Sequence, residues 1–315
     1  MTEPRVLVFA YHDVGYECLD LLVARAANVV AVFTHEDDAN EQIWFKSVAR
    51  LAREHGIDVH TPNAINNPEW VERIRALQPN LIFSFYYRHL IAPEVLDLAR
   101  LGAYNMHGSL LPKYRGRAPV NWAVLNGESE TGATLHVMVQ RPDAGDIVDQ
   151  EHVPIGAQDT ARDVFTKVTA AARAVLERQL DNLLTGRAPR RPQNEAEATY
   201  FGGRRPEDGR IDWRREASSI FNLVRAVTRP YPGAFTDFRG RQFYIWWARP
   251  STSDKGLPGE VVATSPLTIA TGRGRLEIVE WQWQAQAARH DDTHGLPRGA
   301  ILGAPESASQ HGAHS

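Results

Sequence analysis

Short apolar runs alternate with amphipathic stretches along the first part of the chain. The apolar runs have the length of buried strands, and they lie at Val6–Tyr11, Val29–Thr34 and Leu81–Tyr87; the short stretch Asp58–Thr61 is a further candidate strand. The stretches between them carry apolar residues at helical spacing and predict helices over Cys18–Ala26, Glu41–Gly56 and Asn67–Pro79. Strands that alternate with helices in this way indicate an α/β fold with a doubly wound, mostly parallel sheet covered by helices on both faces.

The same pattern continues through the middle of the chain and then changes. Further strands are predicted at Gly102–His107, Thr131–Gln140 and Asp146–Ile155, and a long helix at Asp159–Gly186. The following stretch, Arg187–Arg210, is rich in Arg, Pro and Gly, which is typical of a linker between domains.

Beyond this linker, one helical stretch precedes several short apolar runs that Gly and Pro separate. This pattern predicts a small β-rich, OB-like domain. We therefore expect a catalytic domain over residues 1–203, a β-rich substrate-side domain over residues 204–289, and a disordered tail over residues 290–315, where hydrophobic residues are sparse.

Composition and charge narrow the class of protein. Of the 315 residues 43% are hydrophobic, and the formal net charge is -3, so neither nucleic acid nor an anionic membrane is an expected partner. The one cysteine, Cys18, is expected to be a small buried hydrophobe in a reducing compartment. No apolar run approaches the roughly 18 residues of a spanning helix. Because the start also lacks a signal-peptide pattern, we expect a cytoplasmic protein without stable membrane association.

The densest group of chemically active side chains lies in the segment YNMHGSLLPKYRGRAP, Tyr104–Pro119. Asn105 and His107 stand two apart, so a strand directs both to one face, at the carboxyl edge of the sheet where open α/β folds bind ligands. There an amide donates a hydrogen bond to a developing oxyanion, and an imidazole donates another or transfers a proton. An Asn-x-His pair also arises by chance, so a histidine that is merely hydrogen-bonded at a strand end stays the alternative.

A second candidate is the segment VQRPDAGDIV, which holds Asp143 and Asp146 after a predicted strand. A carboxylate here would orient the His107 ring or accept a proton from an incoming nucleophile. The alternative is an ordinary Asp-Gly turn between two strands.

Two common kinds of cofactor site are not indicated. The segment AYHDVGYE has one glycine where a dinucleotide site has G-x-G-x-x-G. The seven histidines from His12 to His152 that lie outside the Asn-x-His pair show no metal-binding spacing, so we expect no metal.

Three segments together resemble the 10-formyltetrahydrofolate-dependent formyltransferase family. They are NMHGSLLPKYRGRAPVNWAVLNGESETGATLH, VQRPDAGDIV and FNLVRAVTRPYPGAF. The signature Asn-x-His-x-Ser-Leu-Leu-Pro and the downstream Asp-x-Gly-Asp are the most specific marks, and the resemblance covers residues 5 to about 285. The segments IFSFYYRHLI and FGGRRPEDGRIDW are similar to family members that formylate UDP-4-amino-4-deoxy-L-arabinose.

The resemblance implies a role for each matching residue. Asn105 would hold the oxyanion, His107 would donate a proton or stabilise the transition state, and Asp143 would tune His107 and help deprotonate the attacking amine. The cosubstrate, 10-formyltetrahydrofolate, is expected at His89, Leu90, Ile91, Arg117, Val139, Gln140, Arg141 and Pro142. Arg225 and Tyr231 are the expected contacts to the acceptor.

Charge bears on the choice of acceptor within the family. Residues 204–250 hold ten Arg against five acidic residues, and residues 251–315 hold five basic against seven acidic residues, a combined net of +3. This net charge suits the binding of one pyrophosphate group but is small for the binding of tRNA. We expect formyl transfer to UDP-4-amino-4-deoxy-L-arabinose, a step of lipid A modification and polymyxin resistance.

Other functions stay open. The main alternative is transfer to another nucleotide aminosugar, such as a dTDP-aminosugar. Methionyl-tRNA formylation and a non-catalytic module that binds folate or a sugar nucleotide are weaker alternatives. The resemblance also implies that a decarboxylase of the same pathway resides on a separate polypeptide. A homodimer is compatible with the sequence.

Overall fold

The computed structural model describes residues 3–38, 42–253, 256–291 and 293–303. Its contacts divide the chain into two compact units. The first unit comprises the described residues of Met1–Val120, Ser129–Gly156 and Asp163–Gly203, and the second those of Asn121–Glu128, Ala157–Arg162 and the chain from Arg204 onward.

The first unit is built on a seven-stranded sheet. In chain order, the strands of this unit are β1 (Val6–Ala10), β2 (Val29–Phe33), β3 (Val59–His60), β4 (Leu81–Phe85), β5 (Ala103–His107), β6 (Arg115–Gly116), β7 (Glu130–Val137), β8 (Ile147–Pro154) and β9 (Tyr200–Phe201). The large sheet has the order β3-β2-β1-β4-β5-β7-β8, and only β7 and its two neighbours pair antiparallel. The predicted doubly wound, mostly parallel sheet is confirmed.

The helices are α1 (His12–Ala24), α2 (Val48–Glu54), α3 (Pro68–Ala76), α4 (Pro93–Leu96), α5 (Pro119–Leu125), α6 (Ala161–Leu184) and α7 (Ala217–Val227). Every residue of β1 and β4 is buried, which is why these strands appear in the sequence as continuous apolar runs. Leu7, Phe9 and Phe33 on one face of the sheet pack with Ile74 of α3 and Val95 of α4. Each such side chain contributes about 1.5–3 kcal/mol by leaving water.

Helix α2 is shorter than the predicted Glu41–Gly56. It begins at Val48, where the Ser47 hydroxyl accepts the Arg50 N–H at 3.2 Å. Trp44 and Phe45, whose apolar character suggested an earlier start, instead pack against the ring of His12. Glu41 itself lies outside the described residues.

The predicted linker Arg187–Arg210 is in part an element of the first unit. The backbones of Arg191 and Ile147 exchange two hydrogen bonds, of 2.8 and 2.9 Å, and β9 pairs in parallel with β6. The polar composition of this stretch indicated a loop. Its contacts are made to residues that are distant along the chain, so no local sequence pattern reveals them.

The second unit contains the expected β-rich domain, which is confirmed. Its antiparallel strands are β10 (Ala234–Phe238), β11 (Arg241–Ser251), β12 (Val261–Thr264), β13 (Leu267–Ala270) and β14 (Arg275–Trp283), in the order β10-β11-β14-β13-β12. An OB-like barrel also has five strands.

Residues 293–303 pack on the second unit, in contrast to the disordered tail expected from residue 290. His294, Leu296 and Leu302 are buried, and the Leu302 N–H donates to the Gly259 carbonyl at 2.9 Å. The segment holds few apolar residues, but two of them, Leu296 and Leu302, are buried in tertiary contacts that composition alone does not reveal. The rest of the expected tail, residues 304–315, lies outside the described residues.

Within the part of the chain that the structure describes, no helix combines the length and the apolar character needed to cross a membrane.

The buried position of Cys18 predicts low reactivity. Its side chain is fully buried in α1, and burial raises the pKa of the thiol, as the neighbouring Glu17 does, while Arg173 opposes the rise. Since the thiolate is the reactive form, we expect native protein to react with a disulfide reagent far more slowly than protein in denaturant. Absorbance of the released thiol measures both rates. Equal rates would contradict the buried position.

Candidate active site

Strand β5 carries the first two candidate residues to its carboxyl end. His107 is the last residue of β5 and is buried, and Asn105 lies half-buried two positions before it. In the neighbouring antiparallel strand β7, His136 lies directly opposite Asn105. The His107 and His136 ring centroids are 6.5 Å apart, so three polar side chains meet at this edge of the sheet.

Asp143 joins this group from the turn between β7 and β8. Its Oδ1 lies 3.6 Å from His107 Nδ1 and 3.5 Å from His136 Nε2, and its Oδ2 accepts the Gly116 N–H at 2.9 Å. The backbone of Asp143 is left-handed, with φ 57°, a conformation that Asp tolerates better than most residues. The structure thus brings together the three predicted catalytic residues.

The electrostatics of the cluster favour an ionised carboxylate. Burial on its own raises the pKa of Asp143, but the charge of His107, the contacts of His136 and the Gly116 N–H outweigh it and hold the pKa below its usual range. With its side chain 13% exposed, Asp143 supplies a negative charge that water screens little.

The hydrogen-bond network assigns the protons of both histidines. His107 Nε2 donates to the Tyr114 carbonyl at 2.8 Å, so Nδ1 is the nitrogen that faces Asp143. His136 Nδ1 donates to the Val137 carbonyl at 2.9 Å. In neutral His136 the other nitrogen, Nε2, then accepts from the Asn105 amide at 3.1 Å, and in the protonated form it donates toward Asp143.

His136 is the site residue that the sequence analysis missed. It was considered only for metal binding, where its spacing gave no support. His136 comes to the site because β7 pairs with β5 in the register that sets His136 against Asn105. Register depends on tertiary pairing, which the sequence pattern does not specify by itself.

The expected folate residues fall into two groups. His89, Leu90 and Arg117 line a pocket of about 400 Å³ together with Asn63, Ala64, Ile65, Asn66 and Arg88. Leu90 is 70% exposed, whereas the side chain of Ile91 belongs to the core, so only its backbone is placed to meet a ligand.

The second group, Val139–Pro142, leads into Asp143 and is exposed. Within it, Arg141 pairs with Glu195 at 3.1 Å and lies over the Tyr200 ring.

Both expected acceptor residues belong to the second unit. The Arg225 guanidinium is buried and donates to Asn222 Oδ1 at 2.9 Å and to the Asp159 carbonyl at 3.1 Å, so it ties segments of this unit together. Burial raises the pKa of Tyr231 to about 12, against the opposing effects of Asn121 and Arg162. Substrate contact by these two residues stays a prediction.

Among the described residues, no group of three or more His, Cys, Asp or Glu side chains is arranged to hold a metal ion.

Two family profiles match the chain. The profile described as formyl transferase matches residues 6–180, and the profile described as formyl transferase, C-terminal domain, matches residues 204–290. Asn105, His107 and Asp143 all lie within the first matched region. The chain belongs to the formyl transferase family, and the protein is a formyltransferase.

Solved structures share the fold. The N-formyltransferase of Helicobacter canadensis, in complex with folinic acid and dTDP-3-aminofucose, is 20% identical, with a TM-score of 0.69 over 88% of this chain and 99% of that one. The sugar 3N-formyltransferase WlaRD, in the presence of dTDP and 5-N-formyl-THF, is 18% identical, with a TM-score of 0.66 over 91% of this chain and 100% of that one. At these identities, the likeness is one of fold.

A third solved structure is longer. HypX from Aquifex aeolicus, in complex with tetrahydrofolic acid, is 21% identical, with a TM-score of 0.62. The match covers 92% of this chain and 46% of that one.

Gly116 is required by the geometry of the site. Its φ is 100°, and a Cβ here would collide with the Phe201 carbonyl oxygen. We expect Gly116→Ala to destabilise the protein by roughly 2 kcal/mol and to lower activity, because the N–H that binds Asp143 must move. Thermal unfolding and turnover measure the two effects.

Gly56→Ala is the matched control. Its φ is 68°, and nothing lies within 4 Å of the added Cβ, so only the backbone strain remains. Equal losses of stability in the two variants would contradict the close approach at Gly116.

Proposed function

We propose that this protein transfers the formyl group of 10-formyltetrahydrofolate to the amine of a nucleotide aminosugar. The observation that carries the proposal is the cluster of Asn105, His107 and Asp143 in a chain of the formyl transferase family. A module that only bound folate or sugar nucleotide would have no need of a buried carboxylate set against two histidines.

Each residue of the cluster has a part in the reaction, for which bound 10-formyltetrahydrofolate supplies the formyl group. Neutral His136 holds one N–H of the Asn105 amide, which leaves the second N–H to donate to the oxygen on which negative charge develops. A donor of this kind contributes about 3 kcal/mol to transition-state stabilisation. Because the donor is fixed before the reaction, it costs no reorganisation.

His107 donates into the site only in its protonated form. Its Nε2 keeps a hydrogen on the Tyr114 carbonyl, so a donor at Nδ1, the nitrogen 3.6 Å from Asp143 Oδ1, requires the imidazolium. Asp143 also receives the proton of the attacking amine, directly or through water. Its low pKa makes it a poor final acceptor, so the proton passes on to the folate nitrogen as that nitrogen leaves.

The residues around the 400 Å³ pocket fit the folate. The exposed Leu90 offers apolar surface for a flat ring system, and Arg88 and Arg117, which line the same pocket, supply positive charge for a carboxylate. The folinic acid, 5-N-formyl-THF and tetrahydrofolic acid named with the similar structures support a folate cosubstrate.

The acceptor we propose is UDP-4-amino-4-deoxy-L-arabinose, which would place the reaction in lipid A modification and polymyxin resistance. Its support is the resemblance in the IFSFYYRHLI and FGGRRPEDGRIDW segments. A dTDP-aminosugar is the second candidate, favoured by the dTDP-3-aminofucose complex from Helicobacter canadensis.

Transfer RNA is a weak candidate on charge. Four of the ten arginines in residues 204–250 pair with carboxylates, namely Arg210, Arg214, Arg229 and Arg249. A further one, Arg225, is buried. The net charge that remains is modest for a phosphate backbone, which binds through many cationic contacts at once.

A transfer assay tests the acceptor. Purified protein is mixed with 10-formyltetrahydrofolate and, in parallel, with UDP-4-amino-4-deoxy-L-arabinose, dTDP-aminosugars and methionyl-tRNA, and mass spectrometry detects a formyl gain. We expect the highest turnover on the UDP-sugar. Preference for a dTDP-sugar would replace the proposed acceptor but keep the chemistry. No gain on any acceptor, despite folate binding, would support the binding-module alternative.

The three proposed catalytic residues give a mutational prediction. Asn105→Ala, His107→Ala and Asp143→Ala should each lower kcat by about 10²-fold or more, since each removes a donor or charge aimed at the transition state, while thermal stability changes little. His152→Ala is the control, because His152 is exposed on β8 and pairs with Glu130 at 3.1 Å. Near-normal turnover of His107→Ala would contradict the proposed mechanism.

Arg117 gives a prediction for the folate. Removing its guanidinium from the pocket should raise the KM for 10-formyltetrahydrofolate about tenfold, a loss of roughly 1.4 kcal/mol, and change kcat less. Lys113→Ala is the control, since Lys113 is an exposed cation in the same segment. Steady-state kinetics at saturating acceptor separate the two constants. An unchanged KM in Arg117→Ala would remove Arg117 from the folate site.

A further inference from the structure

The backbone of three consecutive residues, Tyr114–Gly116, contacts both sides of the catalytic cluster. The Tyr114 carbonyl accepts from His107 at 2.8 Å, and the Gly116 N–H donates to Asp143 at 2.9 Å. Arg115 lies between these two contacts. Its position therefore determines how far apart His107 and Asp143 are held.

Arg115 is anchored by the segment Gln193–Phe201, to which the sequence analysis assigned only a linker role. Its guanidinium is fully buried and donates to Gln193 Oε1 at 2.7 and 3.1 Å and to the two oxygens of Glu195 at 2.6 and 3.1 Å. It also donates to the Tyr200 hydroxyl, and the Arg115 N–H donates to the Thr199 carbonyl at 2.9 Å.

Gln193 connects this anchor to the turn that carries Asp143. Its side-chain oxygen accepts from Arg115, and its amide nitrogen donates to the main-chain carbonyls of Asp143 at 2.8 Å and Gly145 at 2.7 Å. The Gln193 side chain therefore fixes the turn that carries Asp143 relative to the segment Tyr114–Gly116. The backbone of that segment contacts both His107 and Asp143.

We infer that Arg115 and Gln193 are positioning residues, which hold His107 and Asp143 at their reactive separation without contacting substrate. The inference rests on the proposed function, because it assumes that this separation matters for the reaction. Arg115 acts by geometry and not by its charge, since Glu195 neutralises it and no part of Arg115 is exposed to a ligand. A misplacement of about 1 Å in such a cluster costs on the order of 10²-fold in rate.

Substitutions of Gln193 test the inference kinetically. Gln193→Ala removes both links, and Gln193→Glu keeps an acceptor for Arg115 but loses the two N–H donors. We expect each to lower kcat by about 10- to 100-fold, with the KM values for folate and acceptor changed by less than about threefold. Glu197→Ala is the control, because Glu197 lies in the same segment, is exposed, and accepts from the side chain of its near neighbour Asn194 at 2.9 Å. Unchanged kcat in both Gln193 variants would overturn the inference.

A second readout does not depend on any acceptor. The titratable groups that face Asp143 are His107 and His136, and its Oδ2 accepts from Gly116. With aspartate labelled by ¹³C, and Asp143→Asn to assign the resonance, we expect the Asp143 carboxyl to stay ionised at the lowest pH at which the wild-type protein is folded. In Gln193→Ala the loosened contacts should let it protonate above that pH. Identical titrations in wild type and variant would overturn the inference.

Arg115→Lys separates geometry from charge. Lysine keeps the positive charge but lacks the planar fork that binds Gln193 and Glu195 together, so we expect the same loss of kcat as in Gln193→Ala. Full activity in Arg115→Lys would overturn the geometric role. If the wild-type protein formylates none of the acceptors, the proposed function fails, while the Asp143 titration still decides whether Gln193 positions the cluster.

Discussion

The Asp143 carboxylate is the group on which the rest of the site depends. It is 13% exposed, yet it stands within 3.6 Å of two histidine rings and accepts one backbone N–H. A buried charge with so little solvent is costly unless its surroundings compensate for the lost hydration. The strands, the left-handed turn and the glycine at position 116 together provide that compensation. The contacts that stabilise this one charge therefore also fix the geometry of the site.

The same constraint explains the sequence around the site. The last residue of β7, Val137, pairs with Tyr104 near the start of β5, and the turn that follows brings the Asp143 carboxylate to within 3.6 Å of His107 at the end of β5. Gly116 is glycine because the chain passes close to the Phe201 carbonyl. Segments that seem independent along the chain, near residues 105, 115, 143 and 200, are therefore coupled through one group of contacts.

Much of this could be predicted from the sequence, for identifiable reasons. Strands β1 and β4 are covered on both faces, so they are continuous apolar runs, and Asn105 and His107 stand two apart on a strand. His136 and the Gln193–Phe201 segment could not be predicted in this way. Their roles depend on strand register and on contacts between residues about 80 apart, such as Arg115 and Glu195, and neither leaves a local pattern.

The central claim is that the charge of Asp143, and not only its shape, drives formyl transfer. Asp143→Asn tests it directly, because the amide keeps the size of the side chain and an acceptor for the Gly116 N–H. The measurement is single-turnover formyl transfer at saturating substrates, with the folate Kd determined in parallel. The account predicts a rate lower by about 10²-fold or more with a nearly unchanged Kd. A near-normal rate in Asp143→Asn would contradict it.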